Sequence, residues 1–128
     1  MSQLHRYLTR LQNTILSRRE IKIEALEIFD RSDKMGQTSE FYAVLRFYDG
    51  SRLQVVEKLV VETYTIFKSR YAYHYQDADN STIFRYDNAP HHPEINTFPH
   101  HKHSKDDILP AQAPDLSEVL HEIDELIY

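Results

Sequence analysis

Two kinds of hydrophobic spacing divide the chain. Between residues 3 and 17 the apolar side chains Leu4, Tyr7, Leu8, Leu11, Ile15 and Leu16 recur every three or four positions, the spacing that lines one face of an α-helix. From Glu20 the period changes to two, in stretches rich in β-branched and aromatic residues, and this predicts strands over 20–31, 38–48, 51–61, 64–77 and 82–87. Both glycines fall between predicted strands. Gly36 ends Asp33-Lys34-Met35-Gly36, and Gly50 sits in Asp49-Gly50, a dipeptide favoured in tight hairpin turns. Further on, Asp115-Leu116-Ser117-Glu118 has the form of a capping box, and Leu116, Val119, Leu120, Ile123, Leu126 and Ile127 give the next helix an apolar stripe. His121, Glu122, Asp124 and Glu125 fall mostly outside that stripe and are expected on its solvated face. The expected architecture is an α+β single domain over residues 1–128. It is a mostly antiparallel five-stranded meander with an N-terminal and a C-terminal helix packed on it, and a long loop before the last helix.

The fourth turn predicts a register. Asp79-Asn80 suits a two-residue turn with positive φ, which Asn and Asp tolerate best after Gly. Ala78 then faces Ser81, Tyr75 faces Phe84 and Tyr73 faces Tyr86, while His74 lies opposite Arg85 and Ala72 opposite Asp87. One face of this hairpin is aromatic and the other carries Arg70, His74, Arg85 and Asp87. Glu57, within the apolar strand Leu53–Val61, reads as a residue on a solvated strand face. Arg18 and Arg19, at the end of the first helix, read as complements to its dipole.

Composition narrows the chemistry. There is no cysteine, which excludes disulfides, thiolate zinc sites and a cysteine nucleophile. No apolar run approaches the length of a membrane span, and the N-terminus lacks the apolar centre of a signal peptide, so a soluble, cytoplasmic protein is expected. The net charge of −5 is uneven: from Lys105 onward there are seven acids against one lysine, which leaves residues 1–104 near +1. A polyanion could therefore meet a local basic patch on an acidic chain.

Five of the eight histidines, His91, His92, His100, His101 and His103, fall between Tyr86 and His103 together with three of the five prolines. Imidazole exchanges protons or ligates metals near neutral pH, and proline stiffens the loop that holds it. The loop leaves directly from the polar hairpin face. Metal-free RNA cleavage needs a base, an acid and a cation for the phosphorane. The histidines offer the first two, with His92 and His100 as one candidate pair. Arg85 offers the third, and Asp87 could orient an imidazole. Arg70, His74, Asn88 and Lys102 are candidate substrate contacts. No cofactor is required by this scheme. The competing reading is a divalent metal, such as zinc, nickel or copper, held by the same histidines with Asp87 or Glu94, with at most one histidine of each adjacent pair serving a given ion. A third reading makes the histidines structural, or part of a partner-binding loop. Tyr71, Tyr73, Tyr75, Tyr86 and Phe98 include candidate base-stacking platforms, although aromatic cross-strand pairs are a common means of sheet stabilisation.

The strings Tyr71-Ala-Tyr-His-Tyr-Gln-Asp-Ala-Asp-Asn, Phe84-Arg-Tyr-Asp-Asn-Ala-Pro-His-His-Pro and Thr97-Phe-Pro-His-His-Lys-His resemble the TumE-like toxins of prokaryotic type II toxin-antitoxin modules. Asp49-Gly50-Ser51, Leu53, Glu57 and Leu116–Ile123 are similar to the same pattern, while Asn80 stands where relatives often carry Gly. The resemblance implies a small growth-inhibiting protein neutralised by a cognate antitoxin. It carries no catalytic assignment. RNA is the expected target, a blocked protein or ribosomal surface the non-enzymatic alternative, and a homo-oligomer is compatible with either.

Overall fold

The structure, a computed structural model, describes residues 2–34 and 36–128. Among these residues the chain runs α1 (Gln3–Leu16), β1 (Lys22–Asp33), β2 (Gly36–Arg46), β3 (Arg52–Glu62), β4 (Thr65–Gln76), β5 (Thr82–Asp87), β6 (His101–Ser104), β7 (Asp107–Pro110) and α2 (Leu116–Ile127). The strands form one antiparallel sheet in chain order. The α+β meander is as expected, but the sheet has seven strands rather than five. The extra two lie in a stretch whose alternation is invisible to hydropathy, because His101-Lys102-His103-Ser104 carries polar side chains on both faces. Met35, in the first expected turn, lies outside the described residues.

Both helices cover one face of the sheet. α1 buries Leu4, Leu8, Leu11 and Ile15, and α2 buries Leu116, Val119, Leu120 and Ile123. They meet Phe41, Ala43, Leu45, Leu53, Val55, Leu59, Tyr71, Tyr73, Tyr75 and Phe84 from alternate strand positions. The capping box forms as its residues imply, with Asp115 accepting from the Glu118 N–H at 2.8 Å and Glu118 accepting from the Asp115 N–H. The acids of α2 are not simply solvated. Glu122 binds Lys102 at 2.7 Å and Tyr86 at 2.6 Å, and Asp124 takes both terminal nitrogens of Arg18 at 2.8 and 2.7 Å. Arg18 thus ties the end of α1 to α2.

The register of β4 on β5 is the expected one, with Tyr75 opposite Phe84, His74 opposite Arg85, Tyr73 opposite Tyr86 and Ala72 opposite Asp87. The expected cause is wrong. The turn encloses three residues, Ala78, Asp79 and Asn80, closed by Asp77 N–H to Ser81 O at 2.9 Å, with Asn80 at φ 66°. This is a type I turn completed by a left-handed residue. It shifts the pairing to Gln76 opposite Thr82, and an extra residue at Ile83 shifts it back. The same three-residue loop, ending at Gly50 with φ 85°, joins β2 to β3 in place of the expected tight Asp49-Gly50 turn.

Glu57 is a second correction. It lies on the covered face between Phe41 and Tyr71 and is 0% exposed. Its carboxylate accepts from the hydroxyls of Tyr7 and Tyr73, with Lys68 Nζ 3.7 Å away. A bulge places Ser69 out of step, so Lys68 points to the same face as Tyr71 and Tyr73. Burial first, and the carboxylate second, push both tyrosine hydroxyls far above their ordinary range, which keeps them protonated and donating. A buried charge is tolerated only when so paired.

Two stability predictions follow from these clamps. Glu57→Ala should cost about 3–5 kcal/mol in urea denaturation, because it strands Lys68 and two hydroxyls, and Glu57→Gln should cost less. The Asp124 carboxyl is held below its ordinary value chiefly by Arg18. Its contribution is therefore fully present above the unfolded carboxylate value and is lost as pH falls through the depressed folded one. Arg18→Ala should remove that part of the acid sensitivity, as read from denaturation midpoints between pH 5 and about pH 2.

Candidate functional site

The other face of the sheet is uncovered by helices. On it the alternation of β4, β5 and β6 gathers the polar side chains. Because Arg85 pairs with His103 and Asp87 with His101, these four residues share one patch. Asp87 is its hub and is 3% exposed. Oδ1 accepts from the Ala89 N–H at 3.0 Å and lies 3.0 Å from His101 Nε2; Oδ2 lies 3.1 Å from Arg85 Nε and 3.5 Å from His103 Nε2.

The loop after β5 folds back over this hub. Asn88, an expected substrate contact, is instead tied into β4: its side-chain oxygen accepts from the Tyr71 N–H at 2.9 Å and its amide donates to Ser69 O at 3.0 Å. That plug fills the bulge at Ser69. The loop then returns His92 to the patch, where its ring stands 5.1 Å from His101 and 5.9 Å from His103, centroid to centroid. One ring nitrogen from each of His92, His101 and His103 lies within 4.8 Å of the others. His92 Nδ1 is 3.3 Å from Glu94, and His101 Nδ1 is 2.9 Å from the Pro99 carbonyl. The Phe98–Pro99 peptide is cis.

The doubled histidines are split. His91 is exposed and outside the cluster of three. His100 turns to the helix-covered side, where its ring stacks 5.8 Å from Tyr71 and its Nδ1 sits 2.9 Å from the Tyr71 hydroxyl. Burial raises the Tyr71 pKa and keeps its hydroxyl protonated. His92 and His100 therefore do not face each other as an acid/base pair. Lys102 likewise points to the covered side, held by Glu122 and packed over the rings of Tyr86 and Phe84, and does not face the patch. Tyr71, Tyr73 and Tyr75 are core residues, whereas Phe98 is exposed.

Beside the hub, Arg70, His74 and Arg85 line a cavity of about 340 Å³ with Gln54, Lys58 and Ala72 among its other walls. Burial, then Arg85 and Arg52, lower the His74 pKa, and its Nε2 bonds Thr82 Oγ1 at 2.7 Å. His103 is lowered as well, by burial that outweighs the attraction of Asp87. Lys58 was not singled out from the sequence. Its signal is its place opposite Arg70 in the β3–β4 register, which only the bulged pairing reveals.

The family model described as toxin TumE matches residues 11–127. The chain belongs to the TumE toxin family. The match takes in the C-terminal part of α1, β1 to β7, the His-rich loop and all of α2, so the whole patch lies within the matched residues. No curated protein and no solved structure matches the chain. Among the described residues no helix is long and apolar enough to cross a membrane.

Asp87 and Arg85 should separate in a stability test of this TumE protein. Asp87→Ala leaves the Ala89 N–H without its acceptor and the buried His101 ring and Arg85 without their carboxylate partner, and should cost about 3–5 kcal/mol. Arg85, with 44% of its side chain exposed, should cost less than about 1 kcal/mol when changed to Ala. Thermal melts of the two variants check the contrast.

Proposed function

We propose that this toxin arrests growth by cleaving RNA in the cytoplasm at the open sheet face, and that a cognate antitoxin protein neutralises it. The observation that carries the reading is the convergence of Arg85, His101 and His103 on the buried Asp87, next to a cavity lined by Arg70, His74 and Lys58. The cavity is cationic and the hub holds groups that take up protons or ligate ions, the two requirements for phosphodiester chemistry.

In the reaction the 2′-hydroxyl of one nucleotide attacks the adjacent phosphorus and gives up its proton to an imidazole of the cluster. The bond from phosphorus to the 5′-oxygen breaks, and that oxygen takes a proton. The products are a 2′,3′-cyclic phosphate and a 5′-hydroxyl, with no co-reactant consumed. Arg85 has the placement to stabilise the charge that develops on the phosphoryl oxygens. Asp87 holds its guanidinium at Nε, and among the described residues no other side chain bonds it. Arg70 and Lys58 lie along the same cavity, where they suit flanking phosphates.

Arg85→Ala should fold normally and lower the rate of RNA cleavage by the purified protein about 10²-fold, the usual cost of removing one stabilising donor. It should also relieve growth arrest in a bacterial host. Co-expression of the antitoxin encoded beside the toxin should restore growth with the native chain and give a stable complex. Growth arrest with intact RNA, both in the cell and with purified protein, would replace this reading by inhibition through binding.

A further inference from the structure

The ring of His101 is held between two acceptors. Nδ1 is 2.9 Å from the carbonyl oxygen of Pro99, which can only accept, so this nitrogen carries a hydrogen. In a neutral ring Nε2 would then be the lone-pair nitrogen, yet it lies 3.0 Å from Asp87 Oδ1, a carboxylate oxygen. The residue is 2% exposed, so bulk water does not relieve the opposition. Two facing lone pairs need something positive between or beside them, a proton or a metal ion.

The neighbours distinguish the two. A proton needs nothing more than His101 and Asp87. Here two more imidazoles are brought to the same point, with the ligand atoms of His92, His101 and His103 all within 4.8 Å of one another. A transition metal binds imidazole nitrogen at about 2.0–2.1 Å, which for tetrahedral angles sets the nitrogens about 3.4 Å apart. Small rotations of the partly exposed His92 and His103 rings close that difference. The supports have the form seen around bound metals, in which the second ring nitrogen of a ligand donates to a carbonyl or carboxylate. Pro99 O does this for His101, and Glu94 is placed to do it for His92 at 3.3 Å. His101 and His103 project from alternate positions of one strand, paired to β5 on one side and β7 on the other, so two of the three ligands sit on rigid backbone.

We propose that His92, His101 and His103, backed by Asp87, hold one divalent transition-metal ion on the open face of the sheet. Three neutral nitrogen donors, with the Asp87 carboxylate behind them to balance charge rather than to ligate, suit zinc and its neighbours rather than magnesium or calcium, which take oxygen ligands. Three imidazoles leave a coordination position open, the arrangement of catalytic rather than structural zinc. The opening lies beside Arg85 and the cavity lined by Arg70 and His74. For its role, though not for its binding, the site rests on the RNA-cleaving reading, since an ion there would polarise a phosphoryl oxygen or the attacking hydroxyl.

The test is titration of the chelator-stripped full chain with Zn²⁺ by calorimetry, and with Co²⁺ by visible absorption. One ion should bind per chain, and Co²⁺ should give the intense bands of a low-coordinate site. His92→Ala and His103→Ala, checked for fold by circular dichroism, should each weaken Zn²⁺ binding at least 10-fold, whereas His91→Ala should bind as the native chain does. Absence of binding, or binding that survives both ligand substitutions, overturns the site. The RNA reading is scored separately in the same samples. Cleavage by the stripped protein at full rate overturns the ion's part in the reaction and leaves the nuclease, the binding site itself being decided by the titration. One ion bound through these histidines, with RNA intact, supports the site and overturns the nuclease.

Discussion

The constraint on which the rest of this fold depends is that the sheet is buried on one side only. Two helices supply enough apolar surface for one face, and the period of two in a strand then assigns every residue to the core or the open side. Within β4–β6 this sorting separates two chemistries. Tyr71, Tyr73, Tyr75, Phe84 and Lys102 face the helices, while Arg70, His74, Arg85, Asp87, His101 and His103 face away. A slip of one residue would bury the histidines and expose the aromatics. The loss of several buried rings, each worth about 1.5–3 kcal/mol, holds the register against it.

That energetic argument explains why the register was legible although the turn was not. The aromatic alternation on β4 and β5 decides which residues pair. The Ala78-Asp79-Asn80 loop, which alone would shift the pairing by one, is corrected by the bulge at Ile83. Core packing is the stronger determinant, and the backbone between turn and core absorbs the mismatch. The helices were legible for the same reason, since apolar periodicity measures burial. What periodicity cannot show is a strand with polar side chains on both faces. Strand β6 is such a case, and Lys102 reaches the covered side because Glu122 on α2 is there to receive it.

Glu57 was misread because hydropathy assigns a carboxylate to solvent by default. Its burial depends on partners distant in the chain: Tyr7 on α1, Tyr73 on β4, and a lysine turned inward by the Ser69 bulge. Asp87 is the counterpart on the open face, equally shielded but surrounded by nitrogen groups that exchange protons or bind ions. The two carboxylates are buried under the same physical rule, that a charge withdrawn from water must be matched. They differ in what matches them. Phenolic hydroxyls pushed upward in pKa are inert near neutral pH, so Glu57 is a clamp, whereas imidazoles and a half-exposed guanidinium remain available to a substrate.

The same sorting explains the unusual density of histidine. His-His-Lys-His at 100–103 reads as one cluster of charge, but strand geometry distributes it alternately, with His100 and Lys102 inward and His101 and His103 outward. The inward pair fastens the strand to Tyr71 and to α2, and the outward pair meets Asp87. His91-His92 divides in a similar way, with His92 alone returning to the hub. Of five histidines that looked equivalent, three form the patch, one braces it from behind and one remains exposed. Fastening β6 from the covered side is what lets His101 and His103 stand rigidly on the other, so the inward residues contribute to the chemistry by position rather than by contact.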